Sequence, residues 1–119
     1  MQNSEIKSSV PKLQSDGGNW VTYRDRLTLA LETLGLNIHL TNDSAPKEYS
    51  AKGEVGGLDA ATRWKRGESG TKQLIAATIP ETTYSQIKGG TCTKEMWEAL
   101  KKLHEEQSHV TQVSLIEKV

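Results

Sequence analysis

HEEQSH, residues 104 to 109, is the stretch of this chain closest to a metal-binding signature. A zinc-protease helix needs His-Glu-x-x-His, because two histidines four apart share one helical face and grip one ion while the glutamate beside them acts as base. Here the second histidine comes five residues on. At about 100° per residue, His104 and His109 diverge by about 140°, and His39 is the only other histidine available as a third ligand. The stretch reads better as the edge of a helix's packing face, and no metal is expected.

RGESGTKQ, residues 66 to 73, approaches a phosphate-binding loop, which requires Gly-x-x-x-x-Gly-Lys-Ser/Thr after a strand so that backbone N–H groups wrap the phosphate. Thr71 separates Gly70 from Lys72, the upstream glycine is missing, and no strand pattern precedes it. No nucleotide cofactor is expected. Cys92 sits near a predicted helix start, where a dipole can lower a thiol pKa, yet it has no evident histidine partner and reads as a small residue of the cap region. Arg63, Lys65, Arg66 and Lys72 flank Trp64 and form the one candidate surface for RNA or for assembly. Basic side chains around an aromatic ring neutralise and stack single-stranded nucleic acid; the same pattern also describes the solvated face of a helix whose Trp is buried. No catalytic residue is expected, so the chain does not read as an enzyme.

Composition narrows the classes further. The chain has 119 residues, enough for one domain with a modest core. Hydrophobic residues make up 34% with no Phe, and the mean hydropathy is -0.60. A core must therefore lean on three Trp, three Tyr and the Leu/Ile set. The 15 basic and 15 acidic side chains cancel, which removes the broad positive field that attracts phosphates. One cysteine excludes an internal disulfide, and no apolar run is long enough for a signal peptide or a membrane span, so an intracellular, soluble address and no membrane partner are expected.

Helical periods organise the rest. Residues 1 to 12 are polar and read as a flexible arm, and residues 13 to 108 as one helical domain. Asp16, Gly17 and Gly18 form a turn, Asn19 is placed to cap a helix, and Trp20, Tyr23, Leu27, Leu31 and Leu34 recur at three- and four-residue steps up to a stop at Gly35. Residues 41 to 57 read as a surface loop of variable conformation. Trp64, Thr71, Ile75 and Ile79 continue a helical pattern from Leu58, with a break or kink expected near Gly67 to Gly70, since each mid-helix glycine costs about 1 kcal/mol relative to alanine. Pro80 starts a short helix with Tyr84 and Ile87 facing inward. Residues 91 to 106 give the strongest helix, with Met96, Trp97, Leu100, Leu103 and His104 on one face and Lys/Glu pairs four apart on the other. A new pattern begins after Ser108, so residues 109 to 119 read as the start of a further helix that leads to a missing downstream domain. Trp20, Trp64 and Trp97 are expected to pack on one another. The class is all-α, a small bundle of about five helices.

Over residues 13 to 119 the chain resembles the N-terminal part of the Gag polyprotein of copia-type LTR retrotransposons. The resemblance rests on Leu13, Gly17 or Gly18, Asn19, Trp20, Tyr23, Arg24, Leu27, Leu31 or Leu34, Gly35 and Leu36; on Trp64 before Ile75 and Ile79; and on Cys92, Thr93, Lys94, Glu95, Trp97 and Leu100. The family more often has Tyr then Trp where this chain has Trp20 then Tyr23. The resemblance implies a fold like a retroviral capsid N-terminal domain. It also implies a structural role: weak self-association in this form, strengthened by a downstream capsid domain, to build a virus-like shell around element RNA in the cytoplasm. A domesticated Gag-like module that grips a peptide or protein partner is the alternative. The zinc knuckle, protease and polymerase of such polyproteins have no counterpart in these 119 residues.

Trp97→Ala is expected to cost about 3–5 kcal/mol, as large aromatic truncations do, and to unfold so small a domain. Thermal melting checks this, and a cooperative transition near the parent temperature would place Trp97 on the surface instead.

Overall fold

The structure, a computed structural model, describes the backbone of residues 3–55 and 57–117 and the side chains of residues 5–47, 49, 51–55 and 57–105. The described chain is helical: α1 (Asn3–Ser8), α2 (Trp20–Leu34), α3 (Ile38–Thr41), α4 (Lys47–Ala51), α5 (Ala60–Thr78), α6 (Glu81–Ile87) and α7 (Thr93–Glu117). It contains no strand among the described residues, so the expected small all-α bundle is found, with α2, α5, α6 and α7 as its main members and α1, α3 and α4 as short additions.

The inner face of α2 is the one the sequence predicts: Trp20, Tyr23, Leu27 and Leu31 are buried, with Ala30 beside them. Gly35 ends the helix at a φ of 73°, and the Leu36 N–H returns to the Leu31 carbonyl at 2.8 Å, a Schellman closure that brings Leu36 onto the core. Ile75 and Ile79 of the α5 end, and Met96, Trp97 and Leu100 of α7, close over this face. The Trp20 and Trp97 rings lie 5.8 Å apart.

Between these layers a polar relay is buried. The Thr78 hydroxyl donates to the Leu74 carbonyl at 2.7 Å, so the Tyr23 hydroxyl, 2.7 Å away, is the donor to Thr78. Burial pushes the Tyr23 hydroxyl up to about 12.

Several expectations change. Residues 1 to 12 are not a free arm in their described part, because α1 packs on α2 and Ile6, Val10 and Leu13 join the core. The Leu13 N–H also bonds the Thr78 carbonyl at 2.7 Å. Only Ile6 of the three lies on α1, and Val10 and Leu13 follow in the irregular segment after it, so no sustained period marks them against a polar background. Residues 41 to 57 contain α4, whose Tyr49 meets Trp64 edge to face, with ring centroids 5.4 Å apart. In α6 the inward residues are Thr83 and Ile87, and Tyr84 is exposed. Finally, α7 runs through Ser108 to Glu117 without the expected division, because no Gly or Pro interrupts the sequence there. Residues 118 and 119 of that expected segment lie outside the described residues.

The kink in α5 is absent as well: Ala60–Thr78 is one helix. Asp59 opens it by accepting the Thr62 N–H at 2.8 Å, which holds the Asp59 carboxyl below its ordinary pKa. Gly67 is there for clearance, since a Cβ at this position would collide with the His39 ring, whereas a Cβ at Gly70 meets nothing within 4 Å. The two glycines therefore separate by substitution. Gly70→Ala is expected to stabilise by about 0.5–1 kcal/mol through helix propensity alone. Gly67→Ala is expected to destabilise despite the same propensity gain. Urea unfolding of both variants reads the two signs, and a stabilising Gly67→Ala would show that His39 does not occupy that space.

Candidate functional site

His39 is buried at 1% exposure, with Nδ1 2.7 Å from Glu68 Oε2 and its ring against Trp64 at a centroid distance of 4.1 Å. The other Glu68 oxygen, Oε1, accepts the Thr93 N–H at 3.2 Å, and the Glu68 carbonyl accepts the Thr93 hydroxyl at 3.2 Å. One carboxylate from the middle of α5 thus orients a histidine of α3 and caps the first turn of α7, where the helix dipole favours negative charge. Both carboxylate oxygens and the histidine Nδ1 are engaged in holding helices together, and the His39 ring lies close over Gly67.

The remaining candidates disperse. His104 stands far along α7, buried at 5% exposure, stacked on Trp20 with centroids 5.1 Å apart and packed against Gly17, where an added Cβ would sit 2.6 Å from Nδ1. It is therefore a packing residue in a different place from His39, and the His109 side chain lies outside the described residues. No group of three or more His, Cys, Asp or Glu side chains among the described residues could hold a metal ion. RGESGTKQ lies inside α5, where its backbone amides belong to helical turns rather than to a phosphate-wrapping loop. Cys92 is buried just before α7, and the carboxylate of Glu95 reaches back to the Thr91 N–H at 2.9 Å and the Thr91 hydroxyl at 3.0 Å. Those bonds hold the Glu95 carboxyl below its ordinary pKa.

Asn19 departs from its expected role in an instructive way. It precedes α2 without capping it. Instead its Oδ1 accepts the Gln14 N–H at 2.8 Å and its Nδ2 donates to the Lys12 carbonyl at 3.0 Å, pinning the entry loop. The Asp16 carboxylate accepts the Gly18 N–H at 2.8 Å and closes the turn, which passes Gly17 at a φ of 74° under the His104 ring.

The basic cluster does not form one surface. Arg63 turns inward: its Nη2 donates to the Tyr49 and Gly53 carbonyls at 3.0 and 2.7 Å, and its guanidinium lies 4.7 Å over the Tyr49 ring. Trp64, which it was expected to flank as a core residue, is only half-buried and packs with His39 and Tyr49, apart from the Trp20–Trp97 pair. Lys65 and Arg66 remain exposed. Lys72 lines a cleft of about 360 Å³ with Ser69, Gln73, Tyr84, Lys88 and Met96. The outward Tyr84 of α6 and Lys88, the residue that caps its C-terminal end, are thus additions that the residues around Trp64 gave no sign of. A second, shallower groove of about 560 Å³ runs between α2 and α7, edged by Asp25, Leu29, Glu32, Trp97 and Lys101. No helix among the described residues is long and apolar enough to cross a membrane.

In this helical bundle the buried histidines and the part-buried Glu68 carboxylate serve packing and capping. The chain belongs to the gag-polypeptide family of LTR copia-type elements, whose model matches residues 27–119. Comparisons with curated proteins and with solved structures found no match.

Burial lowers the His104 pKa from its ordinary 6.5. The native state then binds fewer protons than the unfolded chain as pH falls through 6.5, so stability is full above that value and declines below it. Urea unfolding at pH 7.5 and 5.5 is expected to show this loss in the parent and a smaller one in His104→Phe, which keeps a ring on Trp20. An equal loss in both would assign the pH dependence to other groups.

Proposed function

We propose that this chain is the N-terminal capsid part of a copia-type Gag polypeptide and that it works as a building block, with no catalysis of its own. Copies associate weakly through helix surfaces and assemble, together with a downstream capsid segment, into a virus-like shell around element RNA in the cytoplasm. The observation that carries this reading is the family match over residues 27–119. It is supported by a fold in which the chemically capable side chains, His39, Glu68 and His104, are committed to packing. Weak contacts suffice for such a role, because many of them in a closed shell act together. RNA contact by this domain is a minor contribution from Lys65, Arg66 and Lys72, with Arg63 withdrawn to Tyr49 and Gly53.

Sedimentation velocity across a wide concentration series is the test. Growth from monomer to dimer or larger rings is expected as concentration rises, more strongly when the downstream Gag segment is attached. A longer Gag chain that stays monomeric at every concentration and forms no particles would overturn the reading.

A further inference from the structure

We propose that copies of this chain contact one another head to tail, with the exposed face of α2 from one copy seated in the α5–α6–α7 cleft of the next. The inference rests on the self-association reading above and names the two surfaces that carry it.

The cleft is concave, basic and partly apolar. Lys72 and Lys88 supply its charge, no Asp or Glu lines it, and neither lysine is among the ion pairs of the described residues. Met96, 5% exposed, and Ala76 provide apolar lining, and the Tyr84 ring stands open at 37% exposure. That exposure follows from the chain itself: α6 buries Thr83 and Ile87, which turns Tyr84 outward beside Lys88.

The complementary surface is an exposed stripe of α2, acidic and apolar, which edges the groove that Lys101 of α7 lines from the other side. Val21 and Leu29, 58% and 56% exposed, are the two most exposed large hydrophobic residues among those described. At about 100° per residue, Val21, Asp25, Leu29 and Glu32 fall within a sector of about 80°. Leu29 therefore projects beside two carboxylates. Glu32 is in none of the ion pairs, and Asp25 engages Arg24 through Oδ1 alone, in an exposed pair that holds it weakly. Arg24 is itself drawn across to Glu105 at 3.1 Å.

The two surfaces lie on different sides of α7. Trp97 edges the α2 groove while Met96, its neighbour about 100° around the helix, lines the cleft. Each copy thus offers one projection and one cleft, so the contact is heterologous and propagates into a ring or an open chain instead of stopping at a dimer. A cleft of about 360 Å³ makes a small, salt-sensitive contact, as fits a unit whose assembly depends on many repeats.

The test uses the full chain and two double variants at surface positions, read by sedimentation velocity. Asp25→Lys with Glu32→Lys makes both surfaces basic, and Lys72→Glu with Lys88→Glu makes both acidic. Each alone is expected to need about tenfold or more higher concentration to associate, since like charges then face each other. An equimolar mixture is expected to regain parental association, because each variant's projection now matches the other's cleft. A parent that associates while both variants do so equally well would overturn this interface and leave the self-association reading standing. So would a mixture that fails to recover. A parent that is monomeric at every concentration would overturn this interface and leave the self-association reading to the longer Gag chain, and RNA binding by that monomer, lost with Lys72→Glu and Lys88→Glu, would assign the cleft to nucleic acid.

Discussion

A carboxylate can leave water only if its oxygens are met by donors, and Glu68 meets that condition with groups from two other helices. His39 Nδ1 and the Thr93 N–H lie at 2.7 and 3.2 Å from its two oxygens. Those two partners fix where α3 sits along α5 and where α7 begins. The His39 ring then lies over Gly67, and the same ring supports Trp64, onto which Tyr49 of α4 and, through it, Arg63 are built. Half of the molecule is thus arranged around one acid near the middle of a helix that carries two glycines. The other half is arranged around aromatic mass: Trp20 between Trp97 and His104, with Tyr23 tied to Thr78.

What the sequence discloses depends on whether a residue's partner is near it along the chain. The α2 face, its stop at Gly35, the start of α6 at Pro80 and the inner face of α7 all follow from local periods and local backbone preferences, and each is found. The course of α5 is different, because the cost of Gly67 is local while its reason, the His39 ring, lies 28 residues upstream by numbering. The sign of the effect could not be read without that ring. Asn19 shows the same limit: its type and position suit a cap, but the Lys12 and Gln14 backbone competes successfully for its amide.

The candidate surface was the least legible part. Arg63, Lys65, Arg66 and Lys72 are close in sequence, but a helix distributes them around its axis, and loop carbonyls claim Arg63. The cleft that does present basic charge joins Lys72 to Lys88 across two helices. Its one sequence signature is a Tyr on a short helix and a Lys four residues on at the helix end, Tyr84 and Lys88, and that pattern gives no indication of which face is inward. Of the three tryptophans, Trp20 and Trp97 share the deep core, whereas Trp64 serves the smaller His39 cluster; equal side chains in equivalent helical contexts were sorted by tertiary contacts alone.

The bond from the Leu13 N–H to the Thr78 carbonyl bears on how the chain is made. Tyr23 likewise waits for Thr78, and Trp20 for Trp97 and His104. During translation α1 and α2 leave the ribosome well before any of these partners exist, so the most aromatic helix surface of the protein stays uncovered while the following residues are added. Long loops must close before those contacts form, and an uncovered apolar face in the meantime is open to encounters with other nascent chains.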